Sequence, residues 1–165
     1  MDNEACEKLY EACYMRVFSY VMTLAGDRHQ AEEITQETFF RAFSRLKEFR
    51  GESDEVTWLC AIARNLFTDE RRRQSRAQAM PEEAVSREKG VEQSAVERDA
   101  SFRIHLALHG LEEPYREVFE LRVFGELSFK QIASIFRKTE SWARVTFHRA
   151  RARLRERMEN NEQGM

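Results

Sequence analysis

Apolar residues recur every three or four positions along most of this 165-residue chain, which restricts it to folds built from amphipathic helices. Leu9, Cys13, Val17 and Leu24 form one such stripe before Gly26. Only two prolines and six glycines interrupt the pattern, and the 42% hydrophobic content is enough to build a core. The sequence therefore predicts an all-α protein.

The apolar pattern fades in the middle of the chain, where polar residues, Pro81 and Gly90 replace it. Residues 77 to 113 hold eight acids and four bases, so this part of the chain is also acidic. We expect two small helical bundles, at 1–74 and 101–160, joined by a flexible acidic linker at 75–100.

The stretch from Glu126 to Leu154 has the pattern of a helix-turn-helix. Ser128 and Gln131 have the spacing of a capping box at the start of a short helix, and a turn follows at 137–139. Residues 127 to 158 carry nine Lys or Arg and two acids, although the whole chain has a net charge of −2. Duplex DNA suits such a face, because neutralised phosphates release counterions and a helix fits the major groove. The simpler alternative is a solvated basic face on an ordinary surface helix.

Aromatic and basic residues are interleaved in the N-terminal half, where Phe49, Trp58 and Phe67 flank several arginines. Aromatic rings stack on unpaired bases with about 1 to 3 kcal/mol per base, whatever the base. We interpret Asn65 and the loop at 49–53 as base readers, and Arg71 to Arg73 as phosphate contacts. Trp58 is interpreted as either a core residue or a base contact.

Cysteine and histidine spacing argues against a metal centre. Cys6, Cys13 and Cys60 form no CxxC pair, which favours a reducing compartment over a disulfide framework or zinc site. His105 and His109 are four residues apart but lack the glutamate of HExxH. We expect no metal and no cofactor. No apolar run approaches the roughly 20 residues of a membrane span, so no direct membrane insertion is expected.

Four segments of the chain resemble bacterial RNA polymerase sigma factors, most closely those of the extracytoplasmic-function (ECF) type. They are AEEITQETFFRAF (31–43), FRGES (49–53), TWLCAIARNLFTDERRR (57–73) and HRARARL (148–154). The resemblance implies a cytoplasmic, dissociable specificity subunit of RNA polymerase that is not itself an enzyme and serves a stress or envelope-response regulon. It also implies that region 2 occupies 1–74 and that region 4 occupies 101–160.

The resemblance further implies a role for each candidate residue. The surface for the β′ clamp helices of core polymerase would comprise Glu32, Glu33, Gln36, Glu37, Phe40 and Arg41. The site for the melted minus-ten element would comprise Phe49, Arg50, Gly51, Glu52, Ser53, Trp58, Arg64, Asn65 and Arg72. Reading of the duplex minus-thirty-five element would involve Arg144, Val145, His148, Arg149 and Arg151, with phosphate contacts from Arg122, Ser128 and Lys130.

The implied partners are core RNA polymerase, contacted through its β′ clamp helices and β flap, promoter DNA in duplex and melted form, and a membrane-bound anti-sigma factor. Such a factor would hold the chain at the inner face of the membrane. Glu140 to Phe147 departs from the usual family pattern, which leaves open whether Trp142 packs under its helix or against DNA.

Two other functions compete with this interpretation. A stand-alone, dimeric helix-turn-helix regulator would explain residues 102–158 but leaves Gln36, Glu37 and residues 49–65 without a role. A carboxylate-rich helical metalloenzyme is suggested by Glu32, Glu33 and Glu37, but the ExxH ligand pairs of that class are missing.

Overall fold

The computed structural model describes residues 3–49, 51, 54–78, 103–104 and 106–164, and all regular secondary structure among them is helical. The described residues form two compact units, one up to residue 78 and one from residue 103 onward. The predicted all-α fold with two helical bundles is confirmed. Most of the predicted linker lies outside the described residues.

The N-terminal unit contains α1 (Asn3–Ala25), α2 (Arg28–Ser44), a short 3-10 helix (Leu46–Glu48) and α3 (Glu55–Gln78). The three α-helices contact one another pairwise, which makes a three-helix bundle. Gly26 adopts a φ of +68°, which ends α1 in a conformation that favours glycine. The carboxylate of Asp27 then accepts hydrogen bonds from the backbone N–H groups of His29 and Gln30 and caps α2.

The core of the N-terminal unit is the apolar stripe that the sequence marks on α1. Val17, Tyr20 and Val21 are completely buried there, and Phe39 of α2 and Leu59 of α3 close the bundle from the other two sides. Because the buried side chains occupy one face of each helix, the opposite faces of α2 and α3 remain exposed to solvent.

The C-terminal unit contains α4 (Tyr115–Val123), α5 (Phe129–Phe136) and α6 (Glu140–Gln163), preceded by helical residues at 103–104 and 106–109. Ser128 and Gln131 form both bonds of the predicted capping box at the start of α5. The chain turns at Arg137, whose φ is +55°, and Thr139 caps α6 by accepting from the backbone N–H of Trp142. The predicted helix-turn-helix is therefore present as α5, a tight turn and α6.

The second unit has its own core. Ala107, Leu108, Leu111 and Leu154 are buried together, with Met158 against them. This cluster fixes the middle of α6 against the helical residues before α4. Among the described helices, none combines the length and hydrophobicity needed to cross a bilayer.

Candidate nucleic-acid and polymerase interfaces

One face of α6 carries exposed side chains suited to the major groove. Arg144, Val145, His148, Arg149 and Arg151 are all exposed, and these five residues are termed the recognition face. The opposite side of the same helix is buried through Ala143, Thr146, Ala150 and Leu154. Since a helix in the major groove reads bases with one face, the arrangement meets that geometric requirement.

Phe129, the first residue of α5, contacts basic side chains on and beside the recognition face. Its ring centroid lies 4.4 Å from Cζ of Arg122 and 5.4 Å from Cζ of Arg144. The imidazole of His148 lies 6.4 Å away, centroid to centroid. The sequence interpretation missed this residue, and the available signal was an aromatic directly after the capping Ser128.

Arg122 also stabilises the helix-turn-helix from within. Its Nη1 donates a hydrogen bond to the backbone carbonyl of Leu127 at 2.9 Å, and its side chain is partly buried. Leu127 is completely buried just before α5 begins. Arg122 therefore stabilises the connection between α4 and α5. The sequence interpretation gave it a role in phosphate contact and did not predict this structural role.

The other two predicted phosphate contacts are exposed near the same helix start. The hydroxyl of Ser128 accepts a hydrogen bond from the backbone N–H of Gln131 at 3.1 Å, and Lys130 lies on the surface of α5. A hydroxyl that accepts one hydrogen bond can still donate one, so capping and phosphate contact are compatible for Ser128.

Trp142 lies in the first turn of α6 and is partly buried, with its ring 5.3 Å from that of Phe136. Of the two placements that the sequence left open, the structure shows contact with the end of α5. The indole thus supports the turn between the two helices.

The N-terminal unit presents a row of residues along α3. Trp58, Asn65 and Arg72 are spaced by seven residues, so they share one helix face at intervals of about 10 Å. The ring of Phe49 stacks on Trp58 with centroids 4.7 Å apart and an interplanar angle of 26°. Trp58 is partly buried, while Asn65 and Arg72 are exposed, so an aromatic platform is followed by an amide and a cation.

The loop that precedes this row is described in part. Phe49 is partly buried, and Gly51 is exposed with a φ of +71°. Arg50, Glu52 and Ser53, which the sequence assigns to base capture, lie outside the described residues. Arg64, next to Asn65, is partly buried. Of the predicted minus-ten set, the structure thus brings Phe49 and Trp58 into contact and aligns Asn65 and Arg72 with them.

The outer face of α2 combines charged side chains with one exposed aromatic. Phe40 is 67% exposed, whereas its neighbour Phe39 is buried at 2%. Beside Phe40, Arg41 pairs with Glu37 at 2.9 Å, and Gln36 is exposed. Glu33 is also exposed, whereas Glu32 is partly buried and pairs with Arg28 at 3.1 Å. An exposed aromatic ringed by polar groups has the composition of an interface anchor.

In the described part of the chain, no three His, Cys, Asp or Glu residues are arranged to hold a metal ion. One member of the histidine pair, His105, lies outside the described residues.

Comparison with known proteins identifies a protein family for each of the two units. The family model "Sigma-70 region 2" matches residues 9–77, and "Sigma-70, region 4" matches residues 101–154. The chain is 29% identical over 164 residues to RNA polymerase sigma factor YlaC of Bacillus subtilis (strain 168), covering 94% of this chain and 93% of YlaC. It is 30% identical to ECF RNA polymerase sigma factor SigD of Mycobacterium bovis, covering 94% of this chain and 77% of SigD.

The fold is also that of a solved sigma factor structure. RpoE from Bartonella quintana, determined in complex with the anti-sigma factor NepR, superposes with a TM-score of 0.73 at 22% identity, covering 93% of this chain and 96% of RpoE. The chain therefore belongs to the ECF sigma factors, the promoter-recognition specificity subunits of bacterial RNA polymerase.

Proposed function

We propose that the C-terminal unit, residues 101–160, reads the duplex minus-thirty-five element through the recognition face. The observation that carries the proposal is the joint exposure of its five side chains on the second helix of a capped helix-turn-helix. Arg144 and Arg149 have the donor geometry for guanine, and Val145 suits a thymine methyl group. Arg122, Ser128 and Lys130 would hold the DNA backbone and set the register.

We further propose that the N-terminal unit, residues 1–74, traps bases of the melted minus-ten element. The stacked pair of Phe49 and Trp58 supplies apolar surface on which an unpaired base can stack. Asn65 can hydrogen-bond a base edge, and Arg72 lies further along α3 to hold phosphate. The loop at 49–53, with Arg64 beside it, completes this set.

Attachment to core polymerase is proposed for the outer face of α2. Phe40 would anchor the contact with the β′ clamp helices, surrounded by polar contacts from Glu32, Glu33, Gln36, Glu37 and Arg41. The C-terminal unit would contact the β flap. The acidic linker at 75–100 would follow the RNA exit path between these two contacts.

An anti-sigma factor is proposed as the regulator. RpoE was solved in complex with the anti-sigma factor NepR, and the two proteins share a fold. We propose that a membrane-bound factor of this class holds the chain in the cytoplasm, at the inner face of the membrane, until an envelope or other stress releases it.

Transcription in vitro with core polymerase and a promoter library randomised at the upstream element tests base reading. Arg149→Ala should change which upstream bases are preferred, because it removes a guanidinium from the recognition face. Arg157→Ala is the matched control, since it removes the same charge from an exposed position on a different side of α6. Unchanged base preference in Arg149→Ala would show that another surface reads the DNA.

A further inference from the structure

Phe129 contacts two arginines that belong to different helices. Its ring is within 4.4 Å of Cζ of Arg122 on α4 and within 5.4 Å of Cζ of Arg144 on α6. It also contacts Phe147, centroid to centroid at 5.6 Å, and His148 at 6.4 Å. A single side chain at the start of α5 thus contacts two of the five residues of the recognition face.

The contact with the ring restricts Arg144 before DNA arrives. A guanidinium is attracted to the negative face of an aromatic ring, and its five N–H donors remain in its plane for hydrogen bonding. Arg144 has a competing partner, because its Nη2 pairs with Glu140 one turn earlier at 3.1 Å. Both groups of that ion pair are about half exposed, so solvent weakens it. The ring therefore supplies a second restraint on a long side chain that would otherwise sample many rotamers.

Arg149 provides an internal comparison. It is exposed on the recognition face like Arg144, but in the part of the chain that is described it makes no ring contact with Phe129. If the ring orders Arg144 in advance, substituting Phe129 should weaken base recognition by Arg144 and leave base recognition by Arg149 unchanged.

We propose that Phe129 is a positioning residue for upstream-element recognition, which orders Arg144 for base contact while Arg122 contacts the same ring. The inference rests on the proposed role of the recognition face in reading duplex DNA. Phe129 contributes by reducing the conformational freedom that Arg144 loses on binding, so its removal weakens discrimination between promoters.

The test is a double-mutant cycle in the assembled holoenzyme. The readout is the ratio of transcription from a promoter with the preferred upstream element to transcription from one with a scrambled element, in competition. Phe129→Leu should lower this ratio about two- to five-fold, the range of an exposed cation–π contact. Phe129→Tyr, which keeps the ring, should restore it. A thermal unfolding curve for each variant monitors the fold.

The combined variants decide between positioning and general structural support. In the Arg144→Ala background, Phe129→Leu should leave the ratio nearly unchanged, since its target is gone. In the Arg149→Ala background, it should lower the ratio by the same factor as in the natural chain. If Phe129→Leu lowers the ratio equally in both backgrounds, or if the Leu and Tyr variants give equal ratios, the positioning role of Phe129 is refuted. Base reading by the recognition face would be unaffected by that result. If neither arginine affects the ratio, base reading by this face fails and the inference falls with it.

Discussion

Glu120 lies in the interior of the C-terminal unit, where it is 2% exposed and its Oε2 has no hydrogen-bond partner among the described residues. Loss of water raises the pKa of this carboxyl from 4.5 to about 8. The guanidinium of Arg116 opposes the rise, while the carboxylates of Glu113 and Glu117 add to it. At neutral pH the carboxyl is therefore mostly protonated in the folded protein and ionised in the unfolded chain.

The sign of the effect on stability follows from proton binding. Between pH 4.5 and pH 8 the folded state holds a proton that the unfolded state has released, so the free energy of unfolding falls as the pH rises. Each pH unit in this window corresponds to about 1.4 kcal/mol of unfolding free energy, so ionisation of Glu120 removes about 4 kcal/mol of stability between pH 5 and pH 8.5. Glu120→Gln keeps the shape but cannot ionise. Its stability relative to the natural chain should increase by about that amount over the same interval.

Tryptophan fluorescence can follow the C-terminal unit separately, because the chain has two tryptophans, Trp58 and Trp142, one in each unit. In a Trp58→Phe background, urea unfolding monitored through Trp142 gives the free energy at each pH. Glu156→Gln, which removes an exposed carboxylate from α6, controls for the change in net charge. If the difference between Glu120→Gln and the natural chain is the same at pH 5 and pH 8.5, the carboxyl is solvated or paired in the folded protein and its pKa is not raised.

Three further predictions concern the surfaces and the helix ends. Phe40→Ala should weaken binding to core polymerase by about 2 kcal/mol in a titration and leave the melting temperature unchanged, because the ring is exposed. Phe39→Ala, its buried neighbour, should instead cost about 3 to 5 kcal/mol of stability; equal behaviour of the two would contradict this assignment. Ser128→Ala should lower the free energy of unfolding in urea by about 1 kcal/mol through loss of the capping box, and Ser128→Thr should keep most of that stability. Gly26→Ala should cost about 1 to 2 kcal/mol in thermal unfolding because of the φ of +68°, although a Cβ there meets nothing within 4 Å.

The sequence predicted the helix-turn-helix because its signals are local. The capping box joins Ser128 to Gln131 within one turn, and the buried positions Ala143, Ala150 and Leu154 repeat with the period of a helix. A single helix decides each of these features, so no knowledge of tertiary contacts is needed. The exposed recognition face follows directly, as the complement of the buried stripe.

The features that the sequence did not predict depend on contacts between different helices. The contacts of Phe129 with Arg122 and Arg144 join three helices, and periodicity along any one of them contains no such information. The same holds for Trp142 against Phe136. Glu120 is a different case, because its charge indicates a surface position and the fold buries it. Such a departure from the pattern becomes visible only in three dimensions.

Internal partners of the arginines bear on how tightly the isolated chain can bind a promoter. Arg144 pairs with Glu140, and one nitrogen of Arg122 is held by the carbonyl of Leu127, so neither guanidinium is free of competing contacts. An exposed ion pair contributes up to about 1 kcal/mol, which offsets part of the 1 to 3 kcal/mol from a bidentate base contact. A net charge of −2 adds little long-range attraction to DNA.

Tight promoter binding should therefore require both units at once, held by polymerase so that the second contact forms at high effective concentration. We expect the isolated chain to prefer the upstream duplex over scrambled DNA by no more than about ten-fold, and the holoenzyme to bind the full promoter far more tightly. Fluorescence anisotropy with labelled duplexes at fixed salt measures both. A tight, sequence-specific complex of the chain alone would mean that the internal pairs do not compete with DNA, and would contradict this expectation.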